Sequence, residues 1–144
     1  MLSNTSKYAI RAMIHLALNG KDDAKIGIKQ ISKDLDIPTP FLGKILQSLA
    51  KHKLLVSTKG PHGGFGLGKS AYDISLMNIV EIIDGLDSFN MCLLGLKSCT
   101  DDEVNCPVHR SYGSIRDQLK NLFQSENIGE LADHIKKNSI AVAL

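Results

Sequence analysis

The three cysteines of the chain lie close together, at Cys92, Cys99 and Cys106, with six residues between each successive pair. His109 follows three positions after the last cysteine, a spacing that can place both side chains on one side of a helix. Thiolates bind soft or borderline metals, and imidazole suits iron and zinc. Three cysteines and one histidine would therefore supply four ligands to a metal site.

These residue types leave three interpretations open. An iron–sulfur cluster is held mainly by cysteine thiolates. Structural zinc also accepts three cysteines and a histidine, but its sites usually contain short Cys-x-x-Cys pairs, which this sequence lacks. The third interpretation is a metal-free group of cysteines, including a redox pair. Cysteines spread evenly along a loop favour the cluster.

Two predicted elements position these four residues. Residues 87–105, which carry Cys92 and Cys99, show no hydrophobic periodicity and are predicted to form a long functional loop. Cys106 and Pro107 are predicted to begin a long amphipathic helix, because proline is favoured at the first helical position. So small a domain cannot cover the apolar stripe of this helix, so a second copy of the chain is expected to pair with it. The stripe consists of Tyr112, Ile115, Leu119, Leu122 and Phe123.

Hydrophobic periodicity predicts four helices upstream of the cysteines and one at the end of the chain. The upstream helices are expected over residues 5–19, 28–35, 40–52 and 75–86, and the last over residues 129–138, followed by a loose tail. The second and third helices are short and joined by a tight turn. This arrangement predicts a helix-turn-helix.

The third helix has the features of a DNA-recognition helix. Thr39 is expected to cap it, and Pro40 is expected to be its first residue. Lys44 and Lys51 give it positive charge.

A β-hairpin is predicted directly after the helix-turn-helix. Two strand-like runs, residues 54–59 and 65–69, surround a turn rich in glycine and proline. A hairpin in this position is typical of a wing. Lys59 and His62 would give it positive charge, and its glycines permit close approach to a phosphodiester backbone. The alternative is a plain surface hairpin.

The charge distribution favours a polyanionic partner for the first half of the chain. Residues 1–70 contain eleven basic and four acidic residues, whereas residues 71–144 contain six basic and eleven acidic residues. Together with the helices and the hairpin, this asymmetry predicts binding to double-stranded DNA. The predicted contact residues are Lys7, Arg11, Thr39, Phe41, Lys44, Lys51, Lys59 and His62.

Other functional classes are not favoured. The sequence contains no nucleophile–base set, phosphate loop or dinucleotide fingerprint, so an enzyme is not expected. No apolar run is long enough to span a membrane, and no secretory leader is recognised at the start. A cytoplasmic protein with reduced cysteines is therefore expected.

Several motifs resemble those of the winged-helix family of IscR, NsrR and CymR. They are the segment Thr5–Met13, the wing Lys59–Gly68, the cysteine triplet and the segment Ile128–Leu131. The resemblance covers nearly the whole chain. It implies a homodimeric bacterial transcription factor that is mainly α-helical, with a small β-hairpin wing.

The resemblance also implies how the chain is divided. Residues 1–86 would form the winged helix-turn-helix domain, and residues 87–105 the cofactor-binding loop. Residues 106–144 would form the dimerisation helix and a C-terminal helix. The recognition helix and wing would meet a pseudo-palindromic operator.

Carried over by position, the resemblance makes Cys92, Cys99 and Cys106 cluster ligands, with His109 as the histidine ligand of the IscR branch. A 2Fe-2S cluster is therefore expected first, with a 4Fe-4S cluster as the alternative. The acidic ligand of the NsrR branch is replaced by Lys7. The family's cysteines commonly stand closer together than these.

The resemblance also leaves the mode of control and the operator open. A cluster would sense iron, redox or nitric oxide status. Alternatively, the protein would be a cluster-free regulator that responds to thiol oxidation or to a partner protein, as in the CymR branch, or a cluster carrier that does not bind DNA. Gly43 and Lys44 replace acidic and amide residues of the IscR recognition helix, so the operator sequence does not carry over.

Overall fold

The computed structural model describes residues 2–20, 24–96 and 106–138. Within these ranges, six α-helices accompany one antiparallel hairpin and two short 3-10 segments. The elements are α1 (Asn4–Asn19), α2 (Ile28–Leu35), α3 (Thr39–Lys51), β1 (Leu55–Thr58), β2 (Gly64–Leu67), a 3-10 segment (Ala71–Asp73), α4 (Leu76–Ile83), a second 3-10 segment (Leu86–Phe89), α5 (His109–Ser125) and α6 (Ile128–Lys137).

The first helix is the centre of the core. α1 contacts α2, α3, α4, α6 and the second strand of the hairpin. Ala9 and Ala12 are fully buried, and small side chains let neighbouring helices approach closely, while Met13 and Leu16 fill the space between them. Burying a large apolar side chain contributes roughly 1.5–3 kcal/mol, so this face of α1 stabilises the whole N-terminal unit.

Ser3 fixes the start of α1. Its hydroxyl oxygen accepts a hydrogen bond from the backbone N–H of Ser6 at 3.0 Å, as expected of an N-cap. The backbone N–H and the hydroxyl of Ser3 both donate to the carboxylate of Asp84, at 3.1 and 2.5 Å. The beginning of α1 is thereby tied to the end of α4.

An extended residue outside the two strands, Ile26, pairs with the hairpin. Ile26 and Phe65 exchange two backbone hydrogen bonds, of 2.9 and 2.8 Å, which hold the turn end of β2 beside the start of α2. Gly64 adopts a φ of +149°, and a Cβ there would lie 2.4 Å from the Ile26 carbonyl oxygen. Glycine at this position therefore permits the close approach.

The predicted helix-turn-helix and hairpin are present, with one local correction. Thr39 does not cap α3. Pro38 occupies the cap position, Thr39 is the first helical residue, and the Thr39 hydroxyl donates to the Ser32 hydroxyl oxygen at 2.9 Å. This contact between helices replaces the capping bond that the residue type favours.

The predictions around the cysteine loop need two corrections. α4 ends at Ile83 rather than residue 86, because Gly85 has a φ of +78° and redirects the chain. Leu86, the last residue of the predicted helix, lies in the second 3-10 segment and is 47% exposed. α5 begins at His109 rather than at Cys106 and Pro107, which lie in the preceding turn.

The last two helices join the N-terminal core. Phe123 of α5 lies against Phe89, with ring centroids 5.4 Å apart, in a small cluster with Met77 and Val80. α6 lies against α1 and buries Ile128 completely. Among the described residues, no helix is long and apolar enough to cross a membrane.

Candidate nucleic-acid interface and cysteine site

The recognition helix presents a mixed polar and aromatic surface. Lys44 and Lys51 are exposed on α3, and Phe41 is 38% exposed at its N-terminal end. The ring of Tyr8 meets the ring of Phe41 edge-on, with centroids 5.7 Å apart. Phe41 is therefore held by α1 while part of its ring remains available to a ligand.

Two predicted contact residues have internal partners. Arg11 lies over the Tyr8 ring at 5.5 Å and donates a hydrogen bond to the Leu35 carbonyl oxygen at 2.9 Å. Thr39 is half-buried, and its hydroxyl is bonded to Ser32. Both side chains position α2 and α3, whereas Lys7 is exposed on α1.

The hairpin turn carries the predicted wing residues. Lys59 and His62 are both exposed, and Gly60 in the same turn has a φ of +108°. Between this turn and the start of α2 lies an open groove of about 530 Å³. Lys29, in the first turn of α2, lines that groove and adds positive charge that the sequence analysis did not single out.

The structure brings two of the four predicted ligands, Cys92 and Cys106, close together, and a third, His109, lines the same cavity. The Sγ atoms of Cys92 and Cys106 are 3.7 Å apart. His109 is the first residue of α5, and its backbone N–H donates to the Cys106 carbonyl oxygen at 3.1 Å. Cys106 is only 4% exposed, and Cys92 is half-buried.

These three side chains line one small cavity, together with Tyr112 and Arg116. The guanidinium of Arg116 and the N-terminus of α5 both favour negative charge in this cavity. Cys99 lies outside the described residues. Within residues 2–20, 24–96 and 106–138, no three His, Cys, Asp or Glu side chains converge as a metal site would require.

The predicted stripe on α5 has two parts. Phe123 turns inward against α4, whereas Ile115 and Leu122 are 59% and 48% exposed. These two exposed residues are seven positions apart, so they lie on one face of the helix. The loop beside the cysteine site adds further exposed apolar side chains, namely Met91, Leu93, Leu94 and Leu96.

Known proteins share this architecture. The family model of Rrf2, described as an iron-dependent transcriptional regulator, matches residues 2–134. An HTH-type transcriptional regulator of Aquifex aeolicus (strain VF5) is 33% identical over 99% of both chains. IscR of Cronobacter sakazakii is 27% identical over 92% of this chain and 80% of that protein.

The fold is also found in a solved structure. CymR, the global cysteine regulator of B. subtilis, superposes with a TM-score of 0.77 at 23% identity, covering 93% of this chain and 97% of CymR. This likeness confirms the winged-helix fold, and the sequence matches confirm a transcriptional regulator rather than an enzyme. The chain belongs to the Rrf2 family of transcriptional regulators.

Proposed function

We propose that the protein is a homodimeric regulator whose operator binding is controlled by a 2Fe-2S cluster held by Cys92, Cys99, Cys106 and His109. The observation that carries this proposal is the 3.7 Å separation of two thiol sulfurs in a cavity that His109 also lines. The protein would act in the cytoplasm.

The donor set fits such a cluster. Two thiolates bound to one tetrahedral metal at about 2.3 Å lie roughly 3.8 Å apart, close to the separation of Cys92 and Cys106. A bound cluster would supply a group that changes its charge or is lost when iron or oxidant levels change. The Arg116 guanidinium, which lines the same cavity, would offset the negative charge of the thiolates.

The positions of the ligands suggest how the site would influence DNA binding. Cys92 lies on the loop after α4, whereas Cys106 and His109 lie at the start of α5. Holding these residues on one group would fix the loop against the helix that carries the exposed Ile115 and Leu122 face. A change at the site would then alter the spacing of the two recognition helices, which must match half-sites about 34 Å apart.

The DNA surface divides into two roles. Phe41 and Lys44 would enter the major groove from α3, while Lys51, Lys59, His62 and Lys7 would contact phosphates. Arg11 and Thr39 would act through the positions of α2 and α3, since their polar groups are already bonded within the chain.

The wing assignment is tested by changing Lys59 to Ala. Removing one phosphate contact is expected to weaken binding to all sequences about equally and to lower the log–log salt slope by about one. The measurement is fluorescence anisotropy of labelled operator DNA over a salt series. Lys137→Ala, at the exposed end of α6, is the matched control and should change neither quantity. An unchanged slope for Lys59→Ala would remove the wing from the interface.

Control by the cluster is tested by comparing operator affinity before and after an iron chelator removes the group under anaerobic conditions. A change of affinity is expected for the wild type and no change for Cys106→Ala, which is expected to bind no iron. Equal affinities of the loaded and stripped wild-type dimers would contradict cluster control.

One observation favours a second candidate. The two sulfurs at 3.7 Å need only a small movement to reach the disulfide length of about 2.05 Å, and Cys92 is partly accessible. A cluster-free regulator that responds to thiol oxidation, or to a partner protein, would use this pair instead. This candidate would be favoured if the anaerobically purified protein is colourless, binds operator DNA, and releases that DNA after treatment with peroxide.

A further inference from the structure

A strip of four exposed side chains runs along the centre of the outer face of α3. Pro40, Lys44, Gln47 and Lys51 follow one another at spacings of four, three and four residues. Such spacings keep side chains on one face of a helix. All four are exposed, whereas Phe41 lies to one side of the strip.

Only one side chain in this strip can both donate and accept hydrogen bonds. Pro40 is apolar, and the ammonium groups of Lys44 and Lys51 only donate. Gln47 carries a carbonyl oxygen and an amide NH₂ side by side. Within the described part of the chain, the amide of Gln47 makes no hydrogen bond.

Neighbouring positions do not compete for this role. Thr39 has its hydroxyl bonded to Ser32. Gly43 has no side chain that could contact a base, and a Cβ there would lie 3.3 Å from the Ile28 Cδ1 atom. Direct recognition of a base edge by paired donor and acceptor is therefore concentrated at Gln47.

We propose that Gln47 determines part of the operator sequence by reading an adenine in the major groove. A glutamine amide can donate to adenine N7 and accept from adenine N6, a pairing that the other bases do not offer. This inference rests on the proposed use of α3 as the recognition helix.

The position of Gln47 along α3 sets which part of a half-site it can reach. Pro40 and Gln47 are separated by about 10 Å along the axis, since each residue rises about 1.5 Å. This distance corresponds to roughly three base pairs of B-DNA at about 3.4 Å each. Because both polar groups of the amide pair with one adenine, the preference should be confined to a single base position in each half-site.

The test is selection of preferred duplexes from a random library by the wild-type dimer and by Gln47→Ala and Gln47→Glu. Wild type should recover adenine at one position per half-site, with a penalty of at least about fivefold for other bases there. Gln47→Ala should lose the preference at that position alone. Gln47→Glu should prefer cytosine there, because a carboxylate accepts from cytosine N4.

Gln124→Ala is the matched control, since Gln124 is exposed on α5 and lies outside the DNA surface. It should recover the wild-type sequence. If Gln47→Ala and Gln47→Glu also recover the wild-type sequence, the inference is overturned while the regulator function stands. If the wild type binds DNA with no preferred sequence, both the inference and the proposed function fail.

Discussion

At the scale of single residues, Gly129 decides how α6 begins. A Cβ at this buried position would lie 2.5–2.8 Å from atoms of the Tyr72 ring. That ring is held in place by its hydroxyl, which donates to the Asp133 carboxylate at 2.5 Å, and this hydrogen bond raises the pKa of Tyr72. Glycine here lets the segment before α4 lie flat against α6.

Gly129→Ala is therefore expected to destabilise the protein by about 1–2 kcal/mol, because the ring must move and its bond to Asp133 is disturbed. Urea unfolding at fixed protein concentration measures the effect. Gly113→Ala is the control, since a Cβ at Gly113 meets nothing within 4 Å, and it should stabilise α5 by about 0.5–1 kcal/mol. Equal effects of the two substitutions would contradict the packing role of Gly129.

The carboxylate of Asp84 makes the stability of the folded protein depend on pH. Burial alone would raise its pKa, but the two hydrogen bonds from Ser3 outweigh burial and lower it below the ordinary 3.8. A carboxylate with a lowered pKa stabilises the folded state above its unfolded-state pKa, and the contribution is lost as pH falls through the folded-state value.

Asp84→Asn should therefore reduce stability at neutral pH by about 1 kcal/mol, a value discounted for the partial exposure of the carboxylate. The difference from wild type should shrink as pH falls below about 4. Thermal unfolding of both proteins from pH 7 to pH 3 measures it. A difference that stays constant over this range would show that the charge of Asp84 does not matter.

At the scale of elements, hydrophobic periodicity was sufficient to predict each described helix and the hairpin, but not every end. The start of α3 could not be predicted, because Thr39 is drawn into a contact with Ser32 on another helix. The predicted start of α5 was wrong because Pro107 lies in a turn. The backbone N–H of His109 closes this turn by donating to the Cys106 carbonyl oxygen. Helix ends of this kind depend on tertiary contacts, which cannot be inferred from the preferences of single residue types.

The unpaired face of α5 carries the prediction that belongs to this scale. Ile115→Asp and Leu122→Asp each place a charge on the exposed apolar face and should shift the dimer toward monomer. Sedimentation equilibrium measures the change. Gln124→Asp, on the opposite side of α5, is the control and should leave the dimer intact.

If the dimer dissociation constants of both variants equal that of the wild type, the subunits must associate through another surface. The exposed loop residues Leu93 and Leu94 would then be the next candidates. Because these leucines lie beside Cys92, such a result would place the cysteine site directly at the interface.

At the scale of the whole molecule, the family and the fold could be predicted from the sequence better than the role of each side chain. The cysteine spacing and the resemblance indicated a ligand set, and within the described residues the sulfurs of Cys92 and Cys106 lie 3.7 Å apart in a cavity that His109 also lines. Arg11 was predicted to contact DNA, but the structure also gives it an internal bond to Leu35. The proposed role of Gln47 could not be inferred from the sequence, because its exposure becomes informative only once the partners of the neighbouring side chains are known.

Control of DNA binding by iron would depend on one physical link between the two halves of the molecule. In the proposed function, basic side chains on α3 and the hairpin would contact DNA, and soft donor atoms before and at the start of α5 would hold a metal group. Without such a group, Cys92 and Cys106 would provide only a thiol pair, and iron would have no direct route to the recognition helices.

The most direct measurement is the iron and acid-labile sulfide content of the anaerobically reconstituted full chain, together with its visible absorption spectrum. About two iron atoms and two sulfides per chain are expected. His109→Ala should alter the spectrum and Cys106→Ala should abolish iron binding, whereas His134→Ala, at an exposed position on α6, should match the wild type. Stoichiometric zinc, or reconstituted protein without iron, would contradict the proposed cluster.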